Sequence, residues 1–227
     1  GSASLVSVWE QRGIPTEHVD LSRLRPLGDV PSTARERPDT DASQPSGAAS
    51  HELKALLFAD AVGYSKLTED QIPRYVTGFL GAVAELNRRT RYRFEHVETA
   101  GDGLYMVFGN VVDAAHYALE LSALATTTDW SALGLPPSFN LRIALHCGPV
   151  YCGWDPVTET RIYTGPHTSR AARIEPITPP GQVYASSAFA AVAAASGADA
   201  ILMRYVGRTP LAKGSGTLAL YHVQRAT

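Results

Sequence analysis

Leu53–Ala59 is a nearly continuous apolar run of strand length, and it closes on a carboxylate, Asp60. Apolar character on successive positions suits a strand covered on both faces. A small loop with one glycine, Ala61–Ser65, follows. Further on, Ala100-Gly101-Asp102-Gly103 sets a second carboxylate in a tight turn between two β-rich runs. If the two strands pair, Asp60 and Asp102 come to one edge of one sheet. Two close carboxylates repel unless a cation lies between them, and hard divalent cations prefer oxygen ligands. A loop of free N–H groups beside them suits phosphate oxygens. The pattern points to a metal–triphosphate site.

Four stretches then stand in order: FADAVGYSKL, ETAGDGLYMVFG, GPHTSRAARI and PLAKGSGTLALYHV. Together they resemble the motifs of the class III nucleotide cyclase catalytic domain, bacterial type, over roughly Leu53–Val223. The resemblance implies an α+β fold: a ferredoxin-like βαββαβ core, a mainly antiparallel sheet and flanking helices. It implies a head-to-tail homodimer with composite active sites between protomers. It also implies a reaction, in which a nucleoside triphosphate becomes its 3′,5′-cyclic monophosphate and pyrophosphate. Mg²⁺ or Mn²⁺, two per active site, would activate the 3′-hydroxyl and neutralise the phosphates.

Residue by residue, the resemblance makes Asp60, Asp102 and the carbonyl of Ala61 metal ligands. Ala61, Val62, Gly63, Tyr64 and Ser65 would cradle the triphosphate through backbone N–H groups. Arg173 would reach across the dimer to charge developing at the α-phosphate, a task that suits an always-charged, forked side chain. Lys213 matches one lysine of a triphosphate-binding loop whose second lysine is Ser215 here.

The departures bear on substrate. The residue before the AGDG turn that reads the base is Lys in adenylyl and Glu in guanylyl cyclases; here it is Glu98. Its companion, three residues before Gly165, is Ile162, or Thr164 with a two-residue slip. An apolar residue leaves a base edge unread. The family's transition-state Asn is Ser169 here. A purine substrate, ATP or GTP, is slightly favoured. A pyrimidine (UTP or CTP) cyclase of antiphage signalling is one alternative. A weakly catalytic nucleotide-binding or regulatory domain is another.

Composition narrows the rest. The chain has 227 residues, 44% hydrophobic and 19% charged, enough for one sizeable core. A net charge of −2 makes no electrostatic case for a nucleic-acid polymer as partner. No apolar run has the length of a membrane segment. Cys147 and Cys152 flank a Gly-Pro pair; they read as reduced thiols of a cytoplasmic domain, although a hairpin could bring them together. Seven histidines show no metal-ligand spacing, and no GxSxG motif occurs.

Residues 1–50 read as a partly flexible extension or linker before a catalytic domain over 51–227; Gly13–Ser50 is rich in Pro, Asp, Ser, Thr and Arg. Within that domain, Thr68 offers a helix cap and Pro73 fits the first turn. Val76, Phe79, Leu80, Val83 and Leu86 follow helical spacing. Ala114, Ala115, Ala118, Leu119 and Leu121 give a second helix its apolar side. Phe139–His146 reads as a strand, Cys147–Pro149 as a turn and Val150–Gly153 as the return. Pro166–Ile174 reads as a third helix, and Ser186 as the cap of an Ala-rich fourth.

Overall fold

The apolar run belongs to a longer strand, β1 (Ser50–Val62). The computed structural model describes residues 50–198, 200–211 and 216–226. Residues 1–49 of the expected extension, and Lys213, lie outside them.

After β1 comes α1, one continuous helix over 71–89. It is α-helical at Gln71–Arg74, π-helical at Tyr75–Leu80 and α-helical again at Gly81–Arg89. Then come β2 (Phe94–Ala100), β3 (Gly103–Phe108), α2 (Val111–Thr127), β4 (Asn140–Asp155) and β5 (Thr160–Thr164). The chain closes with α3 (Pro166–Ile174), β6 (Val183–Ser186), α4 (Ser187–Ala195), β7 (Ile201–Pro210) and β8 (Thr217–Arg225).

The described strands form one sheet in the order β2-β3-β1-β4-β6-β8-β7, with β5 on β4. Elements β1 to β4, with α1 and α2, are the expected ferredoxin-like unit. Among the described pairs only β4–β6 is parallel.

Alternation along β1 separates two faces. Ala55, Leu57, Ala59 and Ala61 enter the main core, where Phe79, Leu86, Tyr117, Leu121 and Phe189 of α1, α2 and α4 cover the sheet. The opposite face is covered only in part. There Ala171 and Ile174 of α3 pack over Leu56, Val107 and Ala144, and Phe58 and Tyr105 stay partly open. By parity Asp60 belongs to this half-open face. No helix among the described residues is long and apolar enough to cross a membrane.

Three local expectations are corrected. The helix starts after Asp70, not at a Thr68 cap; Thr68 N–H instead donates to Gln71 Oε1 at 3.1 Å, as in the return arm of a capping box. Val76 is 51% exposed while Tyr75 is buried. The wide π turn shifts the inward face by one residue before Phe79, Val83 and Leu86 resume it. Cys147–Pro149 is no turn, because β4 runs straight through it. On the side of β4 away from β1, pairing with β6 ends at Leu145 and pairing with β5 starts at Tyr151. The N–H that Pro149 lacks falls in that gap, so the strand loses nothing there. Cys147 and Cys152 are buried free thiols.

Candidate active site

Asp60 pairs with Gly103 on β3, which brings the Asp102 turn beside it. Ala61 N–H donates to the Asp102 carbonyl at 3.1 Å. Tyr75 Oη donates to the Gly101 carbonyl at 3.3 Å and ties the same turn to α1. The Asp60 carboxyl is pushed up, first by burial; the Arg142 hydrogen bond opposes this and the charge of Asp102 adds to it. A cation between the two carboxylates would relieve their repulsion. Among the described residues no group of three or more His, Cys, Asp or Glu is arranged for a metal ion. The oxygens this edge could offer a cation are the two carboxylates and, on the expectation above, the Ala61 carbonyl. That hard-oxygen set fits Mg²⁺ or Mn²⁺, which fill their remaining positions with water and phosphate.

Two residues here were not foreseen. Arg142 is the ladder partner of Asp60 on β4. Its Nη2 donates to Asp60 Oδ2 at 2.6 Å, and its Nε lies 2.7 Å from Glu175 Oε1. Glu175 opens the 3-10 turn Glu175–Ile177 that follows α3. Its carboxyl is pushed up to about 7, first by burial and then by the charge of Asp60, with Arg142 opposing. The one available signal was a lone charge at 142 inside an apolar strand.

Fewer N–H groups of Ala61–Ser65 are free to meet a phosphate than expected. Ala61 N–H is already committed to Asp102, and Val62 is still in β1. Gly63, at φ 82°, turns the chain into the 3-10 segment Tyr64–Lys66. Lys66 and Leu67 N–H groups bond to the Gly63 and Tyr64 carbonyls. The N–H groups of Gly63, Tyr64 and Ser65 have no backbone partner among the described residues.

Two recesses on the open face share Glu98 and Tyr105. One, of about 520 Å³, is also lined by His96, Arg161 and Ile162. The other, of about 200 Å³, reaches Phe58, Ala100 and Gly103 beside the Asp102 turn. Phe58 and Tyr105 stack at 4.6 Å between ring centroids. Glu98 and Ile162 thus meet at one recess. Thr164 lines neither; it is exposed on β5 opposite Tyr151.

Helix α3 starts at Pro166 after Gly165, whose φ of 143° a side chain would resist. Ala171 and Ile174 anchor it to the sheet. Ser169, which is exposed, and Arg173 stand four residues apart on one flank. No hydrogen bond or ion pair among the described residues joins either to Asp60 or Asp102 of the same chain.

The seat of α3 is a pair of histidines. His146 Nδ1 lies 2.7 Å from Ser186 Oγ, and its Nε2 lies 2.9 Å from His167 Nδ1. Burial, then the positive neighbours His167 and Arg170, hold the His146 ring down to about 4. An unfolded ring takes its proton near 6.5, so the unfolded state binds more protons between the two values. The stabilisation is complete above pH 6.5 and is lost as pH falls toward 4. Glu175, pushed up to about 7, has the opposite slope over the same range, so the test is a comparison: as pH falls from 6.5 toward 4, thermal melts should show the wild type losing about 3 kcal/mol more than a His146→Gln variant.

A family model described as the adenylate and guanylate cyclase catalytic domain matches residues 47–225. No curated protein sequence matches. Among solved structures, the adenylyl cyclase CyaB from P. aeruginosa superposes with a TM-score of 0.65 at 16% identity, covering 79% of this chain and 97% of that one. The guanylate cyclase domain of RhGC from Catenaria anguillulae, in complex with GTP, gives 0.64 at 19%, covering 78% and 98%. An adenylate cyclase from Trypanosoma brucei gives 0.65 at 22%, covering 76% and 88%.

Proposed function

The chain belongs to the adenylate and guanylate cyclase catalytic-domain family, and on that premise we propose that it converts a nucleoside triphosphate to its 3′,5′-cyclic monophosphate and pyrophosphate at two sites between protomers of a homodimer. The observation that carries this reading is the approach of Asp60 and Asp102 at the edge of a half-open face, beside recesses lined by Glu98. Asp60, Asp102 and the Ala61 carbonyl would hold two Mg²⁺ or Mn²⁺ ions. Bound there, such ions lower the pKa of the attacking hydroxyl and neutralise the leaving phosphates.

The chain's own residues do the rest. The N–H groups of Gly63, Tyr64 and Ser65 meet phosphate oxygens. Arg173, offered by the partner's α3, stabilises charge on the α-phosphate and the leaving group. Ser169 is shorter than the Asn of the family and gives the ribose a weaker hold. We take the catalytic domain as residues 51–227, a reading that the family match over 47–225 supports.

Base choice falls on Glu98. Its carboxylate only accepts hydrogen bonds, so it favours an edge that donates, as guanine does through N1–H and its amino group. Ile162 offers nothing polar, so discrimination is modest. Purified protein with Mn²⁺ or Mg²⁺ and each of the four ribonucleoside triphosphates is expected to form one cyclic monophosphate, with a purine turned over fastest. Product chromatography reads the outcome. UTP or CTP as the best substrate would replace the purine reading with the pyrimidine one. No cyclic product with any metal would leave a nucleotide-binding domain.

A further inference from the structure

We propose that Glu175 is a positioning residue for the cation site: by drawing on Arg142, it limits how much positive charge Arg142 places on Asp60. The proposal rests on the reading of Asp60 as a cation ligand. Arg142 stands between two carboxylates, with Nη2 2.6 Å from Asp60 and Nε 2.7 Å from Glu175. A guanidinium this close to Asp60 occupies the electrostatic place a divalent ion would take, and competes with it. Charge that Glu175 neutralises is withdrawn from that competition.

The two contacts differ in kind. Asp60 receives an aligned hydrogen bond. Arg142 Nε and Glu175 Oε1 are buried and make no aligned hydrogen bond with any group described. Their attraction rests on charge and proximity, so Arg142 can shift its share toward either acid. The place is sheltered: the Glu175 side chain is 12% exposed and that of Asp60 22%, so solvent screening is weaker than at an open surface. Backbone geometry holds the three groups together. Arg142 faces Asp60 across the β1–β4 ladder, and Glu175 directly follows Ile174, which is fully buried under the sheet.

The test is Mn²⁺ binding to the full chain without nucleotide, read by electron paramagnetic resonance of free Mn²⁺. At pH 8, above the raised range of the Glu175 carboxyl, Glu175→Gln keeps the shape and removes the charge. Arg142 then gives its whole charge to Asp60, and the Kd for Mn²⁺ should rise about fivefold. Arg142→Gln removes the competitor, and the Kd should fall by a similar factor. The double variant decides how Glu175 acts. If it acts through Arg142, Glu175→Gln has no effect on Kd once Arg142 is gone. An equal penalty with and without Arg142 means a direct charge effect and overturns the proposal; so does an unchanged Kd in Glu175→Gln. Should Arg142→Gln fail to fold by thermal melt, Arg142→Met takes its place in the cycle. Wild-type protein that binds no Mn²⁺ overturns the cation reading beneath the proposal, an outcome distinct from either.

Discussion

Asp60→Asn and Asp102→Asn are each expected to cut cyclic nucleotide formation by about a thousandfold or more, because on the proposed reading each removes one of two anionic ligands from a site that would hold two cations. The fold should survive both changes. Asp60 ends a strand and Asp102 sits in a turn, so neither anchors the core. Asn at 60 can still accept from Arg142. The Asp60 carboxyl is also pushed up in the folded chain, so removing its charge relieves strain at that edge. Melting curves beside product assays separate lost chemistry from lost structure. Near-normal turnover in either variant would remove the metal assignment.

The second large effect is recovery. Asp60→Asn and Arg173→Ala should each be nearly inactive alone. Co-expressed, they should regain activity, because a mixed dimer pairs the intact acids of one chain with the intact arginine of the other. Random pairing makes half the dimers mixed, each with one sound site, so about a quarter of wild-type activity is expected. The described hydrogen bond and ion pair of Asp60 go to Arg142, and none goes to Ser169 or Arg173 of the same chain, which motivates this. Assay of the co-expressed mixture gives that number, and the mixed dimer isolated through two tags should show about half of wild-type activity. Activity no higher than that of the parents would place the whole site within one chain.

Much of this site was legible before any coordinates. The apolar run marks β1 and ends on Asp60, and the Gly-flanked turn brings Asp102 to the same edge; which face Asp60 takes follows only from the helices that cover the other side of the sheet. Pro166 opens α3 and Ser186 caps α4, both as expected. What failed depends on distant neighbours. The Ala61 N–H looked free for phosphate because its partner, the Asp102 carbonyl, exists only once β1 meets the turn. Arg142 and Glu175 carry no shared motif; a parallel strand, β6, and the return of α3 make them neighbours. Gly148-Pro149 looks locally like a turn, yet β1 alongside keeps the strand extended. The register of α1 escaped because a π turn adds a residue that apolar spacing does not announce.

Gly148 gives the seat of α3 a further meaning. A methyl group at that position would collide with the His167 ring. The bare backbone of β4 therefore acts as a bearing surface, and its thinness sets how low the helix can ride. Arg173 is carried on that same helix, so in the proposed dimer its reach toward a neighbouring subunit would be calibrated from below, by a residue with no side chain to offer.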